Sequence, residues 1–268
     1  MKVRAITGFF FVIVMLGSVL LGPYVFSAFY LILTSFCLFE FYKLVREGGF
    51  KPSRESGLIN GFLIFLFFAA QCYFPAWKFI FFLPVSLSAV YIQELYKKAP
   101  APFSNLGFTF LGILFAVVPF CFFHALAFIN GSENFNFHIP LGFLIMLWSN
   151  DTGAYLAGRA FGRTKLFERH SPKKTWEGFI GGVLISAGAA LILSHYYDEI
   201  TWKQWVSIAV IISCVGTLGD LVESMFKRSI NVKDSGGILP GHGGLLDRFD
   251  GLLLAAPVVY AYLYFISN

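Results

Sequence analysis

Between Ser224 and Asp250 the chain reads SMFKRSINVKDSGGILPGHGGLLDRFD. Lys227, Arg228, Lys233, Asp234, His242, Asp247, Arg248 and Asp250 stand there among five glycines, in a chain that is only 13% charged. Neither a packed core nor a plain membrane span has a use for such a segment. A site that handles anions does. Lysine and arginine suit phosphate oxygens. Gly236, Gly237, Gly241, Gly243 and Gly244 let the backbone approach a ligand closely and adopt conformations closed to other residues. Asp234, Asp247 and Asp250 are joined by Asp220 just upstream. Oxygen donors in that number suit Mg²⁺, which takes carboxylates together with substrate phosphates. The combination reads as phosphoryl or nucleotidyl transfer, where positioning and charge neutralisation carry most of the catalysis.

Two other segments carry related chemistry. Asp220, Glu223, Ser224 and Lys227 fall at i, i+3, i+4 and i+7, one polar stripe on an otherwise apolar helix. Such a stripe faces protein or a wet cavity, not lipid. In WSNDTGAYLAGRAFG, Asn150 and Asp151 are followed at i+4 and i+8 from Asp151 by Tyr155 and Arg159, which share its helix face. An ionisable group within a bilayer is costly and marks function by default. These residues are expected to form a wall of the site; the plainer reading is a polar contact between helices. Gly153, Ala154, Ala157 and Gly158 let a second helix come close. In SPKKTWEG, Lys173, Lys174 and Thr175 stand at a helix start, where backbone N–H groups favour anions, with Glu177 just inside. Thr175 is the expected N-cap. A basic juxtamembrane loop is the plainer reading.

Several chemistries are excluded. His242 has no neighbouring Cys or His, which disfavours zinc. No G-x-S-x-G and no G-x-x-x-x-G-K-[ST] occurs. Cys37, Cys72, Cys121 and Cys214 are scattered through apolar segments and suggest neither disulfides nor a metal cluster.

The rest of the chain must hold these residues at a membrane surface. It is 57% hydrophobic, with 34 phenylalanines and a mean hydropathy of +0.71. This composition describes an all-α polytopic membrane protein. A span takes about 20 apolar residues. Such runs lie near 5–22, 24–44, 57–74, 77–95, 107–129, 141–160, 178–197, 203–225 and 251–267, about nine transmembrane helices. Turn signals separate them, among them Gly22-Pro23, Asn130-Gly131 and Pro140. The first run follows a basic start but lacks a small-residue cleavage site, so it reads as an uncleaved helix. With nine spans every basic residue except Lys78 and Lys203 falls on one side, which places the N-terminus and the basic loops in the cytoplasm. Part of that charge serves topology and attraction to anionic membrane lipids. Glu40 and Glu94, close to Lys43, Lys97 and Lys98 at cytoplasmic helix ends, read as interfacial or structural. The chain reads as one integral-membrane domain over 1–268. Residues 1–140 form a scaffold for dimer or lipid contacts, and 141–268 hold the catalytic helices and loops. No nucleic-acid partner is expected.

Taken together, Ser224-x-Phe226-Lys227-Arg228-x₄-Lys233-Asp234-x-Gly236-x₂-Leu239-Pro240-x-His242-Gly243-Gly244-x₂-Asp247-Arg248-x-Asp250 resembles the signature of the phosphatidate cytidylyltransferase (CDP-diacylglycerol synthase) family, without a departure. Ser171–Gly178 and Asn150–Tyr155 are similar to that family's other characteristic segments. The resemblance implies an enzyme that joins CTP and phosphatidate to give CDP-diacylglycerol and pyrophosphate in phospholipid biosynthesis. It also implies dependence on Mg²⁺, an associated K⁺ at the same acids, a homodimer, and a bacterial-type cytoplasmic membrane with the site facing the cytoplasm. On that footing Asp220 and Asp247 are the first choices as metal ligands, followed by Asp250 and Asp234. Lys227, Arg228, Lys233 and Arg248 would bind phosphates, with Lys173, Lys174 and Thr175 completing a triphosphate site. His242 would be a substrate or loop-anchoring contact. Asn150, Asp151, Tyr155, Glu177, Ser224, Gly243 and Gly244 would line the substrates. Two other readings are a CTP-dependent lipid-alcohol kinase and an anion transporter, the latter disfavoured because the ionic residues concentrate in the C-terminal half.

Overall fold

The computed structural model describes residues 2–76, 78–129, 131, 134–232, 235–236 and 243–267. The helices in chain order are α1 (Lys2–Leu20), α2 (Pro23–Glu47), α3 (Arg54–Tyr73), α4 (Leu83–Tyr96), α5 (Pro102–Gly112), α6 (Val118–Leu126), α7 (His138–Phe161), α8 (Trp176–Tyr196), α9 (Trp202–Ser229) and α10 (Leu246–Ser267). A π-helical turn, Ile113–Val117, joins α5 to α6. Two short strands, β1 (Lys165–Phe167) and β2 (Ser171–Thr175), pair antiparallel with Lys165 opposite Thr175 and Phe167 opposite Ser171. This hairpin departs from the all-α expectation.

Among the described residues six helices are long and apolar enough to cross a membrane: α2, α3, α5 through α6, α8, α9 and α10. The other three expected spans correspond to α1, whose apolar part is only Ile6–Leu20, to the 14-residue α4, and to α7. The second half of α7 carries Asn150, Asp151, Tyr155 and Arg159, which line a cavity. Gly22 ends α1 with φ +101°, and Pro23 opens α2 at a position where its missing N–H costs nothing.

The core runs through α2, α6, α7, α9 and α10, filled by Phe26, Tyr30, Phe41, Phe120, Phe123, Phe143, Trp205 and Phe249. Small residues then decide which helices come closest. A Cβ on Gly153 would stand 2.9 Å from the Gly181 carbonyl oxygen, and one on Gly178 would stand 2.8 Å from that of Ala154. The helix that packs on Gly153, Ala154, Ala157 and Gly158 is therefore α8. Gly219 of α9 lies against the Asp250 backbone of α10, and Gly216 lies against Gly251. These contacts draw α7, α8, α9 and α10 into a four-helix unit, with the hairpin over the end at which α9 finishes and α10 begins. At the other end Asn136 Nδ2 donates to Glu199 Oε1 at 3.0 Å, His138 pairs with the same oxygen, and the His138 ring stacks on Tyr197.

Candidate active site

Thr175 caps α8, its Oγ1 accepting from the Gly178 N–H at 3.2 Å. That cap directs β2 across the ends of α7 and α9. The carboxylate of Glu177 accepts the backbone N–H groups of Arg163 and Thr164 at 3.1 Å, which ties the entry of the hairpin to the first turn of α8. Lys173 and Lys174 are thereby held over a cavity of about 550 Å³. Asn150, Asp151, Tyr155 and Arg159 line it from α7, Thr217 and Asp220 from α9, and Asp247, Arg248 and Asp250 from α10. Four carboxylates and four cationic side chains thus share one space.

The charges within it are not equivalent. Lys174 Nζ pairs with Asp220 Oδ2, and the other oxygen of Asp220 accepts from Ser224 Oγ at 3.3 Å. Asp250 Oδ1 accepts its neighbour's N–H, that of Gly251, at 2.7 Å. Asp151 lies open on the cavity wall. Asp247 is engaged on both oxygens: Oδ1 takes Lys227 Nζ at 2.6 Å, and Oδ2 takes the N–H groups of Ser235 and Gly244 at 3.0 Å each. Lys227 also pairs with the buried Glu223 at 3.0 Å. Its ammonium is 12% exposed and does not line the cavity, so it joins α9 to α10 between two carboxylates. Arg228 is exposed, and its Nη1 donates to the Val232 carbonyl at 3.3 Å. Gly243 has φ +86°, a conformation that favours glycine, and Gly244 supplies an N–H to Asp247.

Of the residues singled out in the sequence, Asn150, Asp151, Tyr155, Lys173, Lys174, Thr175, Asp220, Asp247, Arg248 and Asp250 come together in this cavity. Ser224, Lys227, Gly243 and Gly244 stand behind it and hold Asp220 or Asp247. Glu177 anchors the hairpin from outside, and Arg228 points away. Lys233, Asp234 and His242 lie outside the described residues. Arg159, expected on the same wall as Asp151, lines the cavity without having been given a role, and Thr217 was not singled out although it stands three residues before Asp220 on the same helix face.

Carboxylates interleaved with lysine and arginine around one cavity suit a ligand rich in phosphate. A profile of the cytidylyltransferase family matches residues 2–266. The chain belongs to the cytidylyltransferase family. It is similar to the phosphatidate cytidylyltransferase of Bacillus subtilis (strain 168), with 36% identity over 265 residues covering 97% of this chain and 96% of the relative. Against the phosphatidate cytidylyltransferase of Staphylococcus aureus (strain COL), identity is 35% over 264 residues, covering 97% of each. The Staphylococcus epidermidis enzyme of the same name (strain ATCC 12228 / FDA PCI 1200) is 33% identical over 264 residues. These alignments cover nearly the whole chain, the helices of the N-terminal half as well as the segments around the cavity.

A cation bears on the chemistry of the cavity. Among the described residues no three His, Cys, Asp or Glu side chains converge into a closed metal cage. Mg²⁺ does not need one: it takes one or two carboxylates and fills its remaining positions with phosphate oxygens and water. Asp220, Asp250 and Asp151, all oxygen donors on one cavity, fit that mode.

Proposed function

We propose that the protein transfers CMP from CTP to phosphatidate, forming CDP-diacylglycerol and releasing pyrophosphate. The observation that carries this is the convergence of Arg159, Lys173, Lys174 and Arg248 with Asp151, Asp220 and Asp250 on one cavity at the end of a bundle of apolar helices. A phosphate oxygen of phosphatidate forms the new bond to the α-phosphorus of CTP, and the bond from that phosphorus to the oxygen bridging to the β-phosphate breaks. The attacking oxygen is already anionic, so no side chain has to remove a proton. The barrier is the approach of two polyanions, and side chains fixed in advance around the phosphates lower it. Lys173 and Lys174 hold the triphosphate from the hairpin side. Arg159 and Arg248 receive the phosphatidate headgroup. Tyr155 orients the Arg159 guanidinium, whose Nη1 lies 3.5 Å from its hydroxyl. Asp220, Asp250 and Asp151 would hold Mg²⁺, with K⁺ as a second cation at the same acids, and the bound cation would neutralise charge on the triphosphate. Asp247 holds Ser235 and Gly244 beside the cavity.

The proposal extends to topology. In it the hairpin end and the N-terminus face the cytoplasm of a bacterial cell, and α1, α4 and α7 are also embedded to make nine crossings; the excess of Lys and Arg in alternate loops supports this orientation. The cavity is built from one chain, and the proposed homodimer adds no residue that its chemistry needs.

Purified protein incubated with phosphatidate, Mg²⁺ and CTP labelled at the α-phosphate is expected to move the label into CDP-diacylglycerol. Chelation with EDTA is expected to stop the reaction. Transfer of a γ-label to a lipid alcohol would point instead to a kinase, and uptake of an anion into vesicles without any product would point to a transporter.

A further inference from the structure

α10 starts without a cap of its own. The residues before Leu246 are Gly243, Gly244 and Leu245, none of which carries a side-chain acceptor. The first N–H groups of a helix need acceptors, and an anion there is favoured. The Leu246 N–H finds one 206 residues away: it donates to Oε2 of Glu40 at 3.0 Å. Glu40 sits on α2, in the half of the molecule that contributes nothing to the cavity lining, and it is 1% exposed. Gly236 and Gly244 are fitted around its carboxylate. The three nearest atoms to a Cβ on Gly236 would be Glu40 Oε1, Cδ and Cγ, at 2.6, 3.2 and 3.7 Å. A Cβ on Gly244 would stand 2.8 Å from Glu40 Oε2. On the far side of the same backbone, Asp247 takes the N–H groups of Ser235 and Gly244, and its own N–H donates to Ser235 Oγ at 3.3 Å.

We propose that Glu40 is a positioning residue of the active site: from α2 it fixes the first turn of α10 and the backbone on both sides of the glycine loop, and through them Asp247, Arg248 and Asp250. Two carboxylates, Glu40 beneath and Asp247 alongside, hold residues 235–236 against 243–247. Gly236 and Gly244 are glycines because a side chain there would collide with Glu40 or with the other strand of the loop. Gly236 has an ordinary negative-side φ, so space and not backbone conformation excludes a side chain. The kinetic part of this inference rests on the function proposed above; the structural part does not.

The test compares Glu40→Ala, Glu40→Gln, Gly236→Ala and the double variant Glu40→Ala/Gly236→Ala, each as the full chain in detergent. Small displacements of reacting groups cost on the order of 10²-fold in rate. Glu40→Ala is therefore expected to lower kcat about 30-fold or more, with the KM for CTP within about threefold. Glu40→Gln keeps an oxygen for the Leu246 N–H and is expected to retain kcat within about threefold. Gly236→Ala pushes against a carboxylate that cannot swing freely, and should lower kcat about tenfold. Glu40→Ala removes that collision, so the double variant should be no slower than Glu40→Ala alone. Backbone amides 243–248 should exchange with deuterium faster in Glu40→Ala and at the wild-type rate in Glu40→Gln. Wild-type kcat in Glu40→Ala, or losses from Glu40→Ala and Gly236→Ala that simply multiply, would overturn the inference. So would a Glu40→Ala chain that cannot be extracted as a folded protein, because Glu40 would then be holding the bundle as a whole. If the wild type itself makes no CDP-diacylglycerol, the proposed function falls, and the exchange of 243–248 decides the role of Glu40 alone.

Discussion

Glu94 and Asp220 are both acids embedded among apolar helices, and their surroundings are opposites. Glu94 is 2% exposed and fully answered. Its Oε1 accepts from Asn105 Nδ2 at 2.8 Å, and its Oε2 accepts from Ser53 Oγ at 2.9 Å with Lys97 Nζ at 3.4 Å. Lys97 donates in turn to Ser53 at 2.6 Å, and the Ser53 N–H donates to Thr109 at 2.9 Å. Apart from the Glu94–Lys97 pair at the end of α4, these bonds tie the ends of α3, α4 and α5 to one another. Asp220 instead shares a cavity with Asp151, Asp250, Lys173 and Arg248, and among the described residues it pairs with a lysine carried on a hairpin. A buried charge whose hydrogen-bonding capacity is satisfied by its own protein stabilises a fold and has nothing left for a ligand. Charges that face one another across open space are held ready for a third party, at a cost to stability met elsewhere in the fold.

The sharpest way to break this contrast is to remove one acid from each region. Asp220→Ala should lower CDP-diacylglycerol formation by about 10²-fold or more. Its thermal midpoint in detergent should match that of the wild type. Glu94→Ala should do the reverse, lowering stability by about 2–3 kcal/mol because Asn105 and Ser53 lose their acceptor. Its kcat should stay within about twofold of wild type. Equal activity losses in the two variants would erase the distinction.

Next in size is Lys174→Met. It removes the cation facing Asp220 and is expected to raise the KM for CTP and lower kcat/KM by about 30-fold, read from initial rates at varied CTP. Glu177→Ala should have a smaller effect, about tenfold on kcat/KM, because the lysines stay while their hairpin loses its tie to Arg163 and Thr164. Faster exchange of amides 163–175 should accompany it. Gly182→Ala tests packing alone: its Cβ would meet Asn150 Oδ1 at 2.6 Å and should lower stability by about 1–3 kcal/mol.

The smallest effect is expected at the opposite end. Partial burial pulls the Glu199 carboxyl up, but the Asn136 amide, its own backbone N–H and His138 outweigh it and hold the group below the usual carboxylate range. A group lowered on folding contributes stability that is present above its unfolded pKa, near 4.5, and lost as pH falls through the lower folded value. Wild type and Glu199→Gln should therefore differ in Tm at neutral pH and converge as the pH drops below 4.5, with activity at neutral pH unchanged.

Much of the site was legible because its residues are costly where they stand. Asp151 and Asp220 interrupt apolar runs, and few pressures other than function keep an aspartate there. The α7–α8 contact was legible in Gly153, Ala154, Ala157 and Gly158, since small residues mark close approach. Glu177 misled, because a glutamate beside two lysines looks like part of a ligand site until the N–H groups of Arg163 and Thr164 are seen to occupy it. α7 read as a span on length alone, and its polar second half lines the cavity, so it falls outside the six helices that are long and apolar enough to cross a membrane.

The residue types alone pointed to a multi-pass membrane protein and to a set of polar residues between Asn150 and Asp250 that suits phosphate. Those conclusions depend on transfer energies and on charge inventory, which are properties of side chains wherever they are placed. Tertiary structure decided the roles within the inventory. In sequence Asp247 ranked ahead of Asp250, yet both Asp247 oxygens are taken by Lys227 and by backbone N–H groups, whereas among the described residues Asp250 and Lys174 line the cavity without such a closed pair. Glu40 looked like Glu94, yet one anchors the catalytic helix and the other the scaffold. The freedom of a charge to meet a ligand depends on which donors surround it in space, and for Asp247 and Glu40 those donors come from segments that only folding brings near.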